Sequence, residues 1–147
     1  MSKVFGIGLS RTGTKSLAAA LQALGYNTLH YCPLVNNGSA VSLEDIKKYD
    51  AVVSTSFYRM YSTLDLQYPN SKFILTTRDK GQWFSSISKY SDHWNSSDLK
   101  KYEDEVGTYF ENRSSLLRLE TARDDAWNNL CVFLSKTKPQ ISFPHLK

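Results

Sequence analysis

The chain has 147 residues, 41% of them apolar and 22% charged, with a net charge of +4. That length fits a single domain, residues 1–147, around one core, and the composition excludes a disordered or fibrous chain. No apolar run approaches the ~20 residues of a membrane span, and the 18 Lys and Arg are not gathered into the basic run that would point to nucleic acid.

The first element is the apolar run Val4 to Ile7, which reads as a buried strand. A glycine-rich stretch follows, Gly6-Ile7-Gly8-Leu9-Ser10-Arg11-Thr12-Gly13-Thr14-Lys15-Ser16. Lys15 to Leu24 then carries a helical stripe at Leu17, Leu21 and Leu24, and Gly25 stands where a helix C-terminal glycine belongs. Tyr26 to Tyr31 is a second strand, closed by Pro33, and residues 36–39 form a loop. Ser42 reads as the N-cap of a short helix with Glu44 and Asp45 in its first turn.

Ala51 to Thr55 is a third strand, Tyr58 to Gln67 is helix-like, and Pro69 stops whatever precedes it. Lys72 to Thr77 is the clearest strand, a continuous apolar run suited to a central parallel position. Lys80 to Tyr90 reads as a helix, residues 91–97 as a polar loop, and Leu99 to Asn112 as an amphipathic helix. Leu116 to Leu119 is a fifth strand candidate. Thr121 with Asp124 resembles a capping box for a last helix striped by Trp127, Leu130, Cys131 and Leu134. The tail from Pro139 to Lys147 is expected to be extended.

Strands alternating with helices predict an α/β three-layer sandwich with a central parallel sheet of about five strands. Ligands of such sheets bind at the carboxyl ends of the strands. The loops after Ile7, Tyr31, Thr55 and Thr77 should therefore line one site.

The first of these loops has the makings of a phosphate cradle. Glycines allow a tight turn and close backbone approach. The amides and dipole of the following helix favour an anion. Arg11 and Lys15 add charge, and Thr12, Thr14 and Ser16 add hydroxyls. A dinucleotide fingerprint fails because Arg11 stands in place of its third glycine. A Walker A loop fails because Lys15 comes one place late, a rotation of roughly 100° on the helix. No apolar strand ends in the Asp that would hold Mg²⁺. Both observations disfavour a kinase or ATPase.

Arg78 falls just past the best strand, and Ser86 lies about two turns into the next helix. Beside a phosphate loop such a pair can clamp a second anion; the alternative is a local ion pair of Arg78 with Asp79. His30, near the end of the second strand, faces the same edge. With an ordinary pKa near ~6.5 it suits a general base, or it bonds a strand-end carbonyl. Trp83, Trp94 and Tyr90 could stack on a nucleobase, although Trp83 also fits the core. Asp92 and His93 read as solvated loop residues.

These stretches resemble the sulfotransferase family. Residues 10–17, Ser-Arg-Thr-Gly-Thr-Lys-Ser-Leu, look like its 5′-phosphosulfate loop, and Arg78 with Ser86 looks like its 3′-phosphate motif. Tyr68-Pro69-Asn70-Ser71-Lys72-Phe73-Ile74-Leu75-Thr76-Thr77-Arg78-Asp79 looks like a segment of a compact sulfotransferase-like subfamily, as do Trp127-x-x-Leu130-x-x-Phe133-Leu134 and Phe143-Pro144. The resemblance implies a P-loop nucleoside-kinase-like fold. It also implies the donor 3′-phosphoadenosine 5′-phosphosulfate (PAPS, leaving PAP), with no obligatory metal. Arg11, Thr12, Gly13, Thr14, Lys15 and Ser16 would then hold the 5′ side of the donor, and Arg78 and Ser86 the 3′-phosphate. Arg11 stands where the family usually has a catalytic Lys; Arg11, Lys15 and His30 are the catalytic candidates. Ser54 and Ser56 stand where the subfamily often has Asp and Pro.

The implied acceptor is a small molecule or glycan bearing a hydroxyl or amine. The lid region Ser91 to Leu99 is short, which leaves an open site, a large acceptor, or a pocket completed by a second subunit of a homo-oligomer. A nucleotide kinase-like enzyme and a non-catalytic PAP/PAPS-binding protein are the competing readings. Cys32 and Cys131 form no CxxC pair and no metal set with His30, His93 and His145, as fits thiols in a reducing, cytoplasmic compartment. With no secretory signal read ahead of the first strand, the sequons at Asn37, Asn95 and Asn112 are read as chance matches.

Overall fold

The computed structural model describes residues 2–31 and 41–146. The expectations for Cys32, Pro33, the loop at 36–39 and the sequon at Asn37 lie outside the described residues.

The elements are β1 (Val4–Gly6), α1 (Thr14–Ala23), β2 (Thr28–Tyr31), α2 (Leu43–Lys48), β3 (Ala51–Ser54), a 3₁₀ turn (Thr55–Arg59), α3 (Tyr61–Gln67), β4 (Lys72–Thr76), α4 (Lys80–Ile87), α5 (Asp98–Tyr109), β5 (Leu116–Leu119) and α6 (Ala126–Leu134). The strands form one parallel sheet in the order β2-β3-β1-β4-β5. β1 is central, with Gly6 in register between Val53 and Ile74.

Alternation along the strands divides the core in two. Val4, Val53 and Ile74 face Leu17 and Leu21 of α1 and Trp127 and Leu130 of α6. Phe5, Val52, Phe73 and Leu75 face the other way, onto Ile46, Leu64, Trp83 and Val106 of α2 to α5. This is the expected three-layer sandwich. Each of these side chains that is fully buried contributes roughly 1.5–3 kcal/mol of hydrophobic free energy before entropy is counted.

Local chemistry sets several element ends. α1 stops in a glycine-closed turn: Gly25 has φ +96°, its N–H bonds Gln22 O at 3.0 Å, and Tyr26 N–H reaches back to Leu21 O at 3.1 Å. Ser42 caps α2 by accepting from Asp45 N–H at 3.1 Å.

Two expectations are corrected. The segment from Tyr58 to Gln67 is not one helix. Ser54 Oγ accepts from Ser56 N–H at 3.2 Å, which pulls the chain into the 3₁₀ turn, and α3 restarts at Tyr61 after Met60. The capping box at Thr121 and Asp124 does not form either. α6 begins at Ala126 behind Asp125, with no side-chain cap, because Thr121 is buried elsewhere.

Off the sheet, α3 is tied to the end of α5 by Asp65. Its carboxylate accepts a fork from Arg113 at 2.8 Å on both oxygens and a third bond from Tyr109 Oη at 2.8 Å. The Arg113 hydrogen bond holds the Asp65 carboxyl below the usual range, against the opposing effect of burial and with help from Tyr109. The Asp65 side chain is 10% exposed but that of Arg113 is 41% exposed, so solvent screens the pair in part. Asp65→Asn should cost about 1 kcal/mol at neutral pH by urea denaturation. A depressed carboxylate stabilises above its unfolded pKa, and that stability is lost as pH falls through the folded value. The wild-type and variant midpoints should therefore converge in acid.

Candidate functional site

The loop from residue 7 to residue 13 joins β1 to α1 and lies directly on β4. A Cβ at Gly8 would sit 2.0 Å from Thr76 Oγ1 and 2.8 Å from Thr12 Oγ1, so only glycine fits. Thr12 is 1% exposed. Its hydroxyl donates to Leu9 O at 2.6 Å and shares a hydrogen bond of 2.6 Å with Thr76 Oγ1. Arg11 (φ +68°) and Gly13 (φ +102°) take the left-handed region on either side of Thr12. Such alternation of hand turns successive N–H groups to one side and forms an anion nest. Gly13 is also the N-cap of α1, and a Cβ on it would meet Thr121 Oγ1 at 2.4 Å. The first intrahelical bond is Leu17 N–H to Gly13 O at 3.0 Å. The amides of Thr14, Lys15 and Ser16 precede it in the first turn of α1.

The basic residues converge on this loop. Arg78 follows β4 and donates from Nη1 to Arg11 O at 3.0 Å. Arg11 Nε donates to Ser86 Oγ on α4 at 2.9 Å, and its guanidinium lies over the Tyr90 ring, 4.9 Å from the centroid. Trp83, fully buried on the same helix, donates from Nε1 to Ser10 O at 2.9 Å. Three of the residues singled out from sequence, Arg11, Arg78 and Ser86, are thus joined in a chain of two hydrogen bonds. Trp83 is core, as its alternative reading had it. Trp94 is half-buried edge-on against Tyr58, Trp83 and His93.

The hydroxyls are arranged differently from the sequence expectation. Thr12 Oγ1 is bonded inside the loop. Ser16 is buried, and its Oγ accepts from Leu146 N–H of the C-terminal tail at 2.8 Å. Thr14 is buried and Lys15 is exposed on the first turn of α1. Thr76, Thr121 and Leu146 support the loop, a role the sequence assigned to none of them. Only a threonine at the end of a strand could have hinted at Thr76.

His30 lies on β2 opposite Val53, on the sheet face that carries α1. Its Nε2 is buried and, among the described residues, has no hydrogen-bond partner. The strand-end carbonyl bond is not made by that atom. Burial first, and the charge of Lys15 second, push the imidazole below its ordinary value, where the sequence reading had left it unperturbed. At pH 7 His30 is therefore neutral and able to accept a proton. Ser54 and Ser56 pair with each other, Oγ to Oγ at 2.6 Å. Open grooves of about 560 Å³ beside α6 and about 700 Å³ between α4 and α5 include no residue of 8–16.

The fold and the loop together define the class, an α/β protein with a P-loop kinase-like sandwich. A gluconokinase from Sinorhizobium meliloti 1021 is similar in structure, with a TM-score of 0.55 and 15% identity over 91% of each chain; at that identity the likeness is one of fold. A family profile described as a sulfotransferase domain matches residues 3–103. The match covers the loop, Arg78 and Ser86, and the chain belongs to that family. It is also similar to the Ava biosynthesis cluster protein M of Aspergillus versicolor, at 23% identity over 212 aligned positions that cover 98% of this chain and 80% of the relative.

The His30 environment is directly measurable. NMR titration should place its pKa below ~6.5, and Lys15→Ala should raise it by removing the smaller of the two causes. A resonance titrating at or above the free-imidazole value would sink the assignment. Between the folded and unfolded pKa values the unfolded chain binds more protons, so this histidine makes stability rise with pH up to the ordinary value and fall on acidification.

Proposed function

We propose that this chain, as a single domain spanning residues 1–147, transfers a sulfuryl group from PAPS to a hydroxyl or amine of a small-molecule or glycan acceptor. Membership of the sulfotransferase domain family supports the reaction class. The observation that carries the donor assignment is the joining of Arg78, Arg11 and Ser86 beside an amide-lined loop. That arrangement offers two anion sites from segments far apart in sequence, and PAPS bears charge at both the 3′ and 5′ positions. Gly8 and Gly13 let the loop seat directly on Thr76 and Thr121, which supports a fixed amide cradle.

In this reading the amides from Thr12 to Ser16, with the Thr14 hydroxyl, hold the 5′-phosphate at the N-terminus of α1. Arg78 and Ser86 hold the 3′-phosphate through charge-assisted bonds. Arg11 and Lys15 stabilise the charge that develops on the leaving phosphate. Arg11 supplies charge but no proton, since a guanidinium does not deprotonate near neutrality. The donor supplies the activated sulfuryl group: the acceptor atom bonds to sulfur as the bond to the bridging oxygen breaks, and that electron pair stays on the phosphate. His30, neutral and with a buried unpartnered Nε2, takes the acceptor's proton.

The Aspergillus relative is named for a biosynthesis cluster, which favours a small molecule over a macromolecule as acceptor. A cytoplasmic setting fits the buried, unpaired Cys131. Among the described residues no helix is long and apolar enough to cross a membrane. The second reading is a non-catalytic PAP-binding protein. It is favoured by Arg11 standing in place of lysine with its Nε already bonded to Ser86.

Calorimetric titration with adenosine 3′,5′-bisphosphate, with and without Mg²⁺, tests the donor. Micromolar, Mg²⁺-independent binding is expected, and Arg78→Ala should weaken it about 10- to 100-fold, as loss of a charged hydrogen bond implies. Binding of ATP with Mg²⁺ alone would overturn the donor assignment. Turnover of PAPS against an acceptor library separates enzyme from binding protein. There His30→Ala should lower kcat by roughly 10²- to 10⁴-fold, and a variant with full turnover removes His30 as the base.

A further inference from the structure

The Arg11 side chain is held at two points. Its backbone is fixed in the left-handed region at φ +68°, and its carbonyl is bound by Arg78 at 3.0 Å. The side chain then has two supports, Ser86 Oγ at its Nε, 2.9 Å away, and the ring of Tyr90 beneath its guanidinium, 4.9 Å from the centroid. Tyr90 lies past the end of α4, in a turn closed by its own N–H on Ile87 O at 3.0 Å. Ile87 is 2% exposed and so anchors that turn, whereas Tyr90 itself is 58% exposed.

We infer that Tyr90 is a positioning residue for Arg11, presenting the guanidinium to the leaving-group phosphate; the inference rests on the sulfuryl-transfer reading above. A guanidinium is flat and weakly hydrated, and it stacks on aromatic faces in a way a compact ammonium does not. The Tyr90 ring lies against the guanidinium carbon, and Ser86 accepts from Nε. Ser86 takes none of the four N–H donors of Nη1 and Nη2, so a fork to an anion can still form. Arginine in place of the family's usual lysine and an aromatic ring at position 90 are therefore two halves of one arrangement. The ring compensates for the longer, more flexible side chain by restricting where its charge sits. Being largely exposed, Tyr90 contributes little to the core, so its removal acts on Arg11 and not on folding.

The test has two arms. In the ligand-free protein, the Arg11 Nε–H resonance, identified by its absence in Arg11→Lys, should move when Tyr90→Leu removes the ring current and stay in place in Tyr90→Phe. In PAPS turnover, Tyr90→Leu should lower kcat about fivefold, the size of an exposed cation–π contact. Bisphosphate affinity should fall by no more than that factor, since the bisphosphate keeps the same 5′-phosphate, the thermal midpoint should be unchanged, and Tyr90→Phe should restore most of the rate. In an Arg11→Ala background the same Tyr90→Leu substitution should have no further effect. An unmoved resonance overturns the inference, as does an equal loss with and without Arg11. If the wild-type protein does not turn over PAPS, the donor reading fails, and the resonance arm alone still decides whether Tyr90 holds Arg11.

Discussion

The hydroxyl pair of Thr12 and Thr76, 2.6 Å apart, is the contact on which the site depends. It seats the glycine-rich loop on the central sheet at van der Waals distance, which is why no Cβ fits at Gly8. Because Thr12 donates to Leu9 O, Thr76 must be the donor in the shared bond. Each of these buried groups is thereby satisfied, and removing either would leave a buried polar atom without a partner, at a cost of about 1–3 kcal/mol. The direction in which α1 leaves the sheet follows from this seating, and so does the edge at which its first-turn amides emerge.

Helix α4 is bound to the loop, not merely packed near it. Trp83 reaches Ser10 O, Ser86 reaches Arg11 Nε, and Arg78, just ahead of the helix, reaches Arg11 O. Loop and helix therefore move as a unit, and the separation between the amide cradle and the Arg78–Ser86 pair is set by the fold. The hydroxyls of Thr12 and Ser16 are engaged within the protein.

The strands were legible because each is short, apolar and bounded by turn residues: Leu116–Leu119 was located to the residue and Lys72–Thr76 to within one. The glycine closing α1 and the serine capping α2 were legible because their chemistry is local. What was not legible depends on contacts between distant segments. The Thr121–Asp124 pattern looks like a cap, yet Thr121 is recruited to lie against Gly13, and no local rule reveals that. Ser16 looks like a ligand for phosphate, yet a residue 130 positions away occupies its hydroxyl. The lowered pKa of His30 comes from burial and from Lys15 on a neighbouring element, both products of tertiary structure.

The same long-range contacts explain how a strained loop can be stable. A non-glycine residue at φ +68° costs on the order of 1–3 kcal/mol. It persists here because the residues around it are held from three sides: Thr76 under the loop, Thr121 against Gly13, and the tail at Ser16. The N–H groups of the cradle are thus already oriented, and binding an anion there requires little reorganisation. Backbone and side chain play different parts at Arg11. The backbone is over-determined, whereas the guanidinium rests on one hydroxyl and one exposed ring. That leaves Arg11 as a cation at the loop whose anchor is rigid and whose charge can still respond to what the site contains.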